Sequence, residues 1–420
     1  MRPTTPDPLA AAPAASAAAT GTAGEAGAGA GTSEGAAARP EHDAAGHVRL
    51  QGPGNAADGR PSVALVVGVN GIVGSEVARQ LAGREGWEVH GLSRSAHELP
   101  RGVHPILADL QDRESVARAL AELRPTHVFL TVWSRQEDEA ANIRVNRAML
   151  RHLFDALSPA GSVRHVALMT GLKHYMGPFE AFGTGEMRET PFREESERLE
   201  TPNFYYAQED ELFAAAERDG FTWSVHRAHT VTGHAVGNAM NFALTLAVHA
   251  AIARETGAPL VFPGTETVWN CLTDISDSRV VADQMIWAST TPGVGNEAWN
   301  VTNGEVFRWR WLWPRLADAL GVEWEGPGAE PRPLVEQMEG QERVWSEIVA
   351  RHGLTEERLD RVASFWHTDS DLGVEVEVLA DMTKSRLAGF ATYVDTERAF
   401  LELFDRYEAD GLVPARPRRG

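Results

Sequence analysis

The chain has 420 residues, 43% hydrophobic and 23% charged, so it is long and apolar enough to bury a large core. Its formal net charge of −20 opposes nucleic acid and anionic membrane surfaces, while leaving room for one local basic site for a phosphorylated cofactor. The single cysteine, Cys271, excludes an internal disulfide and a multi-cysteine metal site; with no apolar stretch of the ~18 residues that span a bilayer, a cytoplasmic protein without metal is expected.

Residues 1–60 are rich in Ala and Gly and nearly lack large apolar side chains, which predicts a disordered tail. The run VALVV at 63–67 then reads as a parallel strand buried on both faces. A glycine-rich turn and a helix at 75–81 follow. Further strands are predicted at 87–92, 127–132 and 165–170, with helices at 113–123 and 140–157. This alternation implies an α/β Rossmann fold, a doubly wound parallel sheet with right-handed crossovers. A strand at 222–226 continues it, and the nucleotide-binding region is expected to span 61–235. Beyond it the pattern is mixed: helices at 238–254, from 274 to 288, at 310–320, 334–351 and 396–407, and a short strand at 258–262. This mainly helical region, 236–420, is expected to form the substrate lid, partly interleaved with the sheet and packed over the carboxyl ends of its strands.

The first turn reads Gly68-Val69-Asn70-Gly71-Ile72-Val73-Gly74. Gly68 permits a tight turn, Gly71 lets the backbone approach a pyrophosphate, and Gly74 lets the helix lie close to the sheet. The helix N-terminus offers unpaired N–H groups to the phosphates. At the end of the second strand, Ser93-Arg94 stand where an NAD enzyme carries an acidic residue; a guanidinium matches a ribose 2′-phosphate, so NADPH/NADP+ is expected. Asp109 and Leu110 are candidates to flank the adenine. Thr131, Trp133 and Thr170 fall at the carboxyl ends of strands, where such sheets bind ligands.

Short-chain dehydrogenases commonly carry Tyr-x-x-x-Lys, and that spacing is absent here. Thr170-Gly171-Leu172-Lys173-His174-Tyr175 follows the fourth strand instead, and NFYYAQEDEL at 203–212 opens the next helix. With GVNGIVGSEVA, TGLKHYMGPFE, TWSVHR, WNVTNGEVFRWRWLW and VWSEIVARHGL, the chain resembles the progesterone 5β-reductase/iridoid synthase-like enzymes over residues 62–413. These are an atypical branch of the short-chain dehydrogenase/reductases.

The resemblance implies catalytic Lys173 and Tyr205 and NADPH-dependent reduction of the C=C bond of a small apolar α,β-unsaturated carbonyl substrate. It also implies that Lys173 holds the nicotinamide ribose and favours a more acidic Tyr205. Phe179 sits where the family places a substrate-facing aromatic, and Met240 and Asn241 fall in the helix that covers the pocket. Ala228-His229 stand where the family carries Pro-Gly, and His367 where it carries an aromatic, which makes the pocket more polar. Three other readings stay open: a carbonyl reductase, a sugar-nucleotide epimerase or dehydratase, and a non-catalytic NADP-binding sensor. Self-association as a homodimer is also left open.

Overall fold

The computed structural model describes residues 61–95, 99–178, 187–238 and 240–417. The expected disordered tail at 1–60 and the expected substrate-facing Phe179 lie outside the described residues.

The alternation read from the sequence folds as β1 (Ser62–Val67), α1 (Ile72–Ala82), β2 (Trp87–Ser93), β3 (Val103–Leu107), α2 (Arg113–Leu120) and β4 (His127–Leu130). It continues through α3 (Glu139–Leu157), β5 (His165–Gly171), α4 (Lys173–Met176), α5 (Phe204–Asp219) and β6 (Thr222–Ala228). Seven strands pair in parallel, in the order Glu297–Val301, β6, β5, β4, β1, β2, β3. The order reverses between β1 and β4, and a doubly wound sheet binds its ligand in the crevice beyond the carboxyl ends of the strands at that point.

Strand periodicity explains the two layers. Ala64 and Val66 of β1 point to one face, where α1 and the helix Ser278–Thr290 pack. Leu65 and Val67 point to the other, against α2, α3 and α5. Each of these side chains is fully buried, contributing on the order of 1.5–3 kcal/mol for a Val or Leu. A third cluster lies in the C-terminal region, where α6 (Phe242–Thr256) is buried on almost every side among the helices Trp309–Leu320, Glu342–His352 and Thr396–Ala409. Among the described residues no helix is long and apolar enough to cross a membrane.

The structure departs from the sequence reading in several places, each with a local cause. The strand Glu297–Val301, which the mixed pattern after residue 228 does not announce, completes the sheet beside β6. The helix expected at 238–254 starts at Phe242, because the Asn241 side chain caps it by accepting the Leu244 N–H. The helix expected from 274 starts at Ser278, where the Asp277 carboxylate accepts the Arg279 N–H. The helix expected at 334–351 is two, Leu334–Gln337 and Glu342–His352, separated by Gly340 at a φ of +73°. The short strand expected at 258–262 is reduced to Leu260–Val261, paired with Trp324–Glu325.

Candidate active site

One large cleft opens at the carboxyl ends of β1, β4, β5 and β6, enclosing about 1510 Å³ of non-protein space that is partly open to solvent. Ile72, Val73, Thr131, Trp133 and Thr170 line it from the sheet side. Met240, Phe242, Trp309, Val374, Val376 and Val378 close it from the C-terminal region. A concave, mostly apolar wall with a few polar groups is the usual form of a small-molecule site.

The glycine loop is shaped for a dinucleotide. Gly68 has a φ of +87°, which lets the chain turn out of β1. A Cβ on Gly74 would lie 2.2 Å from the Gly68 carbonyl oxygen and 2.6 Å from Thr131 Oγ1, so only glycine lets α1 start this close to β4. Helix α1 begins at Ile72, and Gly74 sits in its first turn. Its N-cap, Gly71, has no side chain to bond, and no acidic side chain occupies the first turn, so the N–H groups of that turn and the positive dipole end stay available to an anion. The Asn70 amide lies 3.4 Å from the Ser95 carbonyl and joins the loop to the end of β2. There Ser93 Oγ donates to the same carbonyl and Arg94 is exposed. Asp109, beyond β3, is half-buried and accepts the Gln111 N–H. These residues fit a phosphorylated dinucleotide. The Leu110 side chain is buried in the core among α2 and α3, which leaves an adenine contact there to its backbone.

Thr170 and Gly171 end β5, and Lys173 opens α4 directly after them. The Lys173 ammonium lies 5.3 Å from the centre of the Trp133 ring and 5.5 Å from that of Phe204, two rings stacked 5.1 Å apart. Tyr205 enters from the first turn of α5. A Cβ added to Gly171 would lie 3.2 Å from the Tyr205 hydroxyl and 3.0 Å from the Ala228 carbonyl oxygen, so Gly171 leaves the space in which that hydroxyl sits. The two tyrosines of the pair divide their tasks. The Tyr206 hydroxyl donates to the His174 carbonyl and accepts from the Leu199 N–H, and it is fully engaged. Tyr205 lines the cleft.

Two residues that the sequence reading did not select hold this pair. Asn203, the N-cap of α5, accepts the Tyr205 N–H at 2.9 Å and donates its amide to the Lys173 carbonyl at 2.8 Å. Glu139, in the first turn of α3, accepts the Phe204 N–H at 2.6 Å. Burial, and after it the Glu139 carboxylate, push the Tyr205 phenol well above its ordinary pKa. The shift runs opposite to the acidification expected from Lys173. The shift favours the protonated phenol, the form that can donate a hydrogen bond.

Near the pair lies a buried ionic group. Glu209 bonds Arg198 at 2.7 Å, with His174 at 3.7 Å and Arg227 at 3.8 Å. Burial alone would raise the Glu209 carboxyl, but His174, Arg227 and Arg198 hold it below the usual range. Arg227 donates to the Tyr175 hydroxyl at 2.9 Å, which donates to Asn300 Oδ1 at 2.7 Å and so ties the segment after β5 to the seventh strand.

Residues 109–414 match the model of the PRISE-like Rossmann-fold domain. The chain is also 39% identical over 365 residues to an (S)-8-oxocitronellyl enol synthase of Camptotheca acuminata, covering 84% of this chain and 93% of that one. It is 39% identical over 364 residues, with the same coverage, to a 3-oxo-Delta(4,5)-steroid 5-beta-reductase of Arabidopsis thaliana. The chain belongs to the PRISE-like family. Among solved structures, the UDP-glucose 4-epimerase of Thermus thermophilus in complex with NAD aligns with a TM-score of 0.56 at 22% identity, over 82% of this chain and 99% of that one. That likeness carries the fold alone.

Within this PRISE-like site the pocket expectations divide. Met240 and His367 line the cleft. Asn241 does not: it is buried, its amide donates to the Ala235 carbonyl, and its oxygen accepts from Leu244 N–H and the Tyr407 hydroxyl. It is a helix cap, and the expectation of a substrate contact there is corrected. His229 and Asp274 also line the cleft, joined at 2.8 Å through Nδ1. The only sequence signal for them was the replacement of Pro-Gly by Ala228-His229.

Proposed function

We propose that this protein is an NADPH-dependent oxidoreductase that saturates the C=C bond of a small, apolar α,β-unsaturated carbonyl compound. One observation carries the reading: Lys173 and the proton-bearing Tyr205 line a single apolar cleft together with the first turn of α1. The two relatives, named for an enol synthase and a steroid 5-beta-reductase, support it.

The reduced nicotinamide, when bound, supplies a hydride to the β-carbon of the substrate. The N–H groups of Ile72, Val73 and Gly74 hold the pyrophosphate, and exposed Arg94 with Ser93 holds the ribose 2′-phosphate. Arg94, in a position where NAD enzymes carry an acid, favours NADP(H). Lys173 holds the nicotinamide ribose. Tyr205 donates a hydrogen bond to the substrate oxygen, which gains negative charge as the β-carbon is reduced. A donor already aimed at that oxygen in a mostly apolar cleft contributes on the order of 10²–10³ in rate. A phenol held protonated suits this task better than a tyrosinate. The valines at 374, 376 and 378, with Met240 and Trp309, exclude water and orient an apolar enone.

The test is NADPH consumption with a panel of enones, with product analysis, for the native chain, Tyr205→Phe and Lys173→Ala. The reading expects a saturated ketone from the native chain and a Tyr205→Phe rate lower by roughly 10²–10³. An alcohol with its C=C bond intact points to carbonyl reduction. NADPH bound but consumed with none of the panel removes the enzymatic reading in favour of a sensor.

A further inference from the structure

The enone reading leaves one proton unassigned. Hydride adds to the β-carbon, the C=C electron pair becomes an enolate, and the α-carbon must then gain a proton to give the saturated ketone. Tyr205 serves the enolate oxygen. A separate acid, if the chain supplies one, has to reach the same cleft from another element.

We infer that His229, held by Asp274 at the end of β6, is the acid that delivers this proton to the α-carbon. The placement follows from the sheet. Gly171 and Ala228 are register partners on β5 and β6. The same point above Gly171 lies 3.0 Å from the Ala228 carbonyl oxygen and 3.2 Å from the Tyr205 hydroxyl. His229 is the next residue after Ala228, so it leaves the sheet beside the tyrosine hydroxyl, and it lines the cleft.

The ring is fixed in orientation. Nδ1 meets Asp274 Oδ1 at 2.8 Å, and the His229 backbone N–H donates to Ser276 Oγ at 3.0 Å. Asp274 is itself buried and held by the Ala380 N–H at 2.7 Å through its other oxygen. With Nδ1 committed to the carboxylate, Nε2 is the ring nitrogen left to a ligand. A carboxylate that holds one imidazole nitrogen while the other faces the reacting atoms is the arrangement that proton-transferring histidines use. Lys173, Tyr205, Cys271, His367 and Asp371 are the other titratable groups that line the cleft. Of these, Lys173 and Tyr205 are committed to the cofactor and the enolate oxygen, and His367 is engaged with Asp371 at 3.2 Å.

The step balances. The Nε2–H bond of the protonated ring breaks as the Cα–H bond forms, the enolate electron pair becomes that bond, and the neutral imidazole takes up from solvent the one H+ that the overall reduction consumes. The chain thus directs both additions, hydride at the β-carbon and proton at one face of the α-carbon.

The inference rests on the enone reading, and the experiment separates the two. The probe is 2-methylcyclohex-2-en-1-one, whose α-carbon becomes a stereocentre only when it is protonated. The native chain with NADPH should give 2-methylcyclohexanone with one configuration at that carbon in large excess. In His229→Gly and His229→Gln both configurations should form in near-equal amounts, and kcat should fall about tenfold or more. Imidazole added to His229→Gly should restore rate. NADPH affinity, read by fluorescence, should stay near native and exclude a folding defect, while the melting temperature should fall less in His229→Gln, whose amide can still donate to Asp274, than in His229→Gly. Variants that keep the native rate and the native excess overturn the inference, as does His229→Gln restoring both, since glutamine can tether the loop but cannot act as the acid. If the native chain leaves the C=C bond of this enone and of the whole panel intact, the enone reading itself is refuted, and the proton assignment falls with it.

Discussion

Asn203→Ala tests whether one amide couples Lys173 and Tyr205, the two residues proposed to carry the reaction. Its loss removes the cap on α5, worth about 1 kcal/mol, and the bond to the Lys173 carbonyl, worth about 0.5–1 kcal/mol. The second figure sits at the low end because the Lys173 carbonyl also accepts the Gly177 N–H at 3.0 Å, and so keeps a partner. The sum is a destabilisation of about 1.5–2 kcal/mol. Urea unfolding followed by tryptophan fluorescence measures it as a lower midpoint at constant slope. Catalysis should suffer more than stability. With the tie gone, Tyr205 and Lys173 are placed by separate elements, and a misplacement approaching 1 Å costs roughly 10²-fold. Asn203→Asp separates the contributions: it keeps the acceptor for the Tyr205 N–H but loses the donor to Lys173. It should retain about half the lost stability while kcat falls as in the alanine variant. A variant that loses the stability but keeps kcat within about twofold would show that the amide is a cap and nothing more.

Three further outcomes follow from the geometry. Arg94→Ala should weaken NADPH binding by about ten- to a hundredfold, the range for one hydrogen-bonded charge, and NADH binding by less than about twofold; equal losses in titrations of the two would move the 2′-phosphate away from Arg94. Gly74→Ala should abolish NADPH binding in a fluorescence titration, because its Cβ would meet the Gly68 carbonyl oxygen at 2.2 Å; retained affinity would mean α1 shifts freely. Glu209 has a folded pKa below its unfolded one, so its stabilisation is complete above the unfolded value, near 4.5, and is lost as pH falls through the folded value. Glu209→Gln, which takes the buried carboxylate from Arg227 and His174 while Arg198 keeps Asp210 at 2.7 Å, should cost about 1–3 kcal/mol at neutral pH and flatten the acid limb of a stability-against-pH curve.

The sheet was legible where strands are long, apolar and separated by helical periods, as in VALVV followed by a glycine turn. Glu297–Val301 escaped because nothing in a five-residue stretch containing Glu, Trp and Asn distinguishes a covered strand from a loop. Lys173 and Tyr205 were legible only through family resemblance. No local periodicity brings together two residues on separate elements, one opening α4 and the other in α5. Asn241 misled because a residue at a helix start next to a pocket reads like a pocket residue, whereas its amide is consumed by Ala235, Leu244 and Tyr407. The Glu209 group was hidden for a related reason: Arg198, Arg227 and His174 come from three separate segments, and sequence gives each of them a solvated surface by default.

A Tyr-x-x-x-Lys enzyme sets its two reacting side chains one helical turn apart, so the helix itself fixes their separation. This chain has no such ruler. Lys173 follows β5, and Tyr205 belongs to a separate helix that opens only at Phe204. Their relation is set by cross-ties instead: Asn203 between the two backbones, Tyr206 between His174 and Leu199, and Tyr175 between Arg227 and Asn300. These ties are buried and hydrogen-bonded at both ends, where removing one partner strands the other. They also run in different directions, toward α5, toward the 199 loop and toward the seventh strand, so each restrains a motion that the others allow. For the hydrogen bond to a developing enolate proposed for Tyr205, the precision is therefore spread over residues outside the cleft lining. Activity in this family member should accordingly be most fragile at Asn203, Tyr206 and Tyr175, while the apolar lining, which only excludes water and shapes the space, has room to vary with the enone it receives.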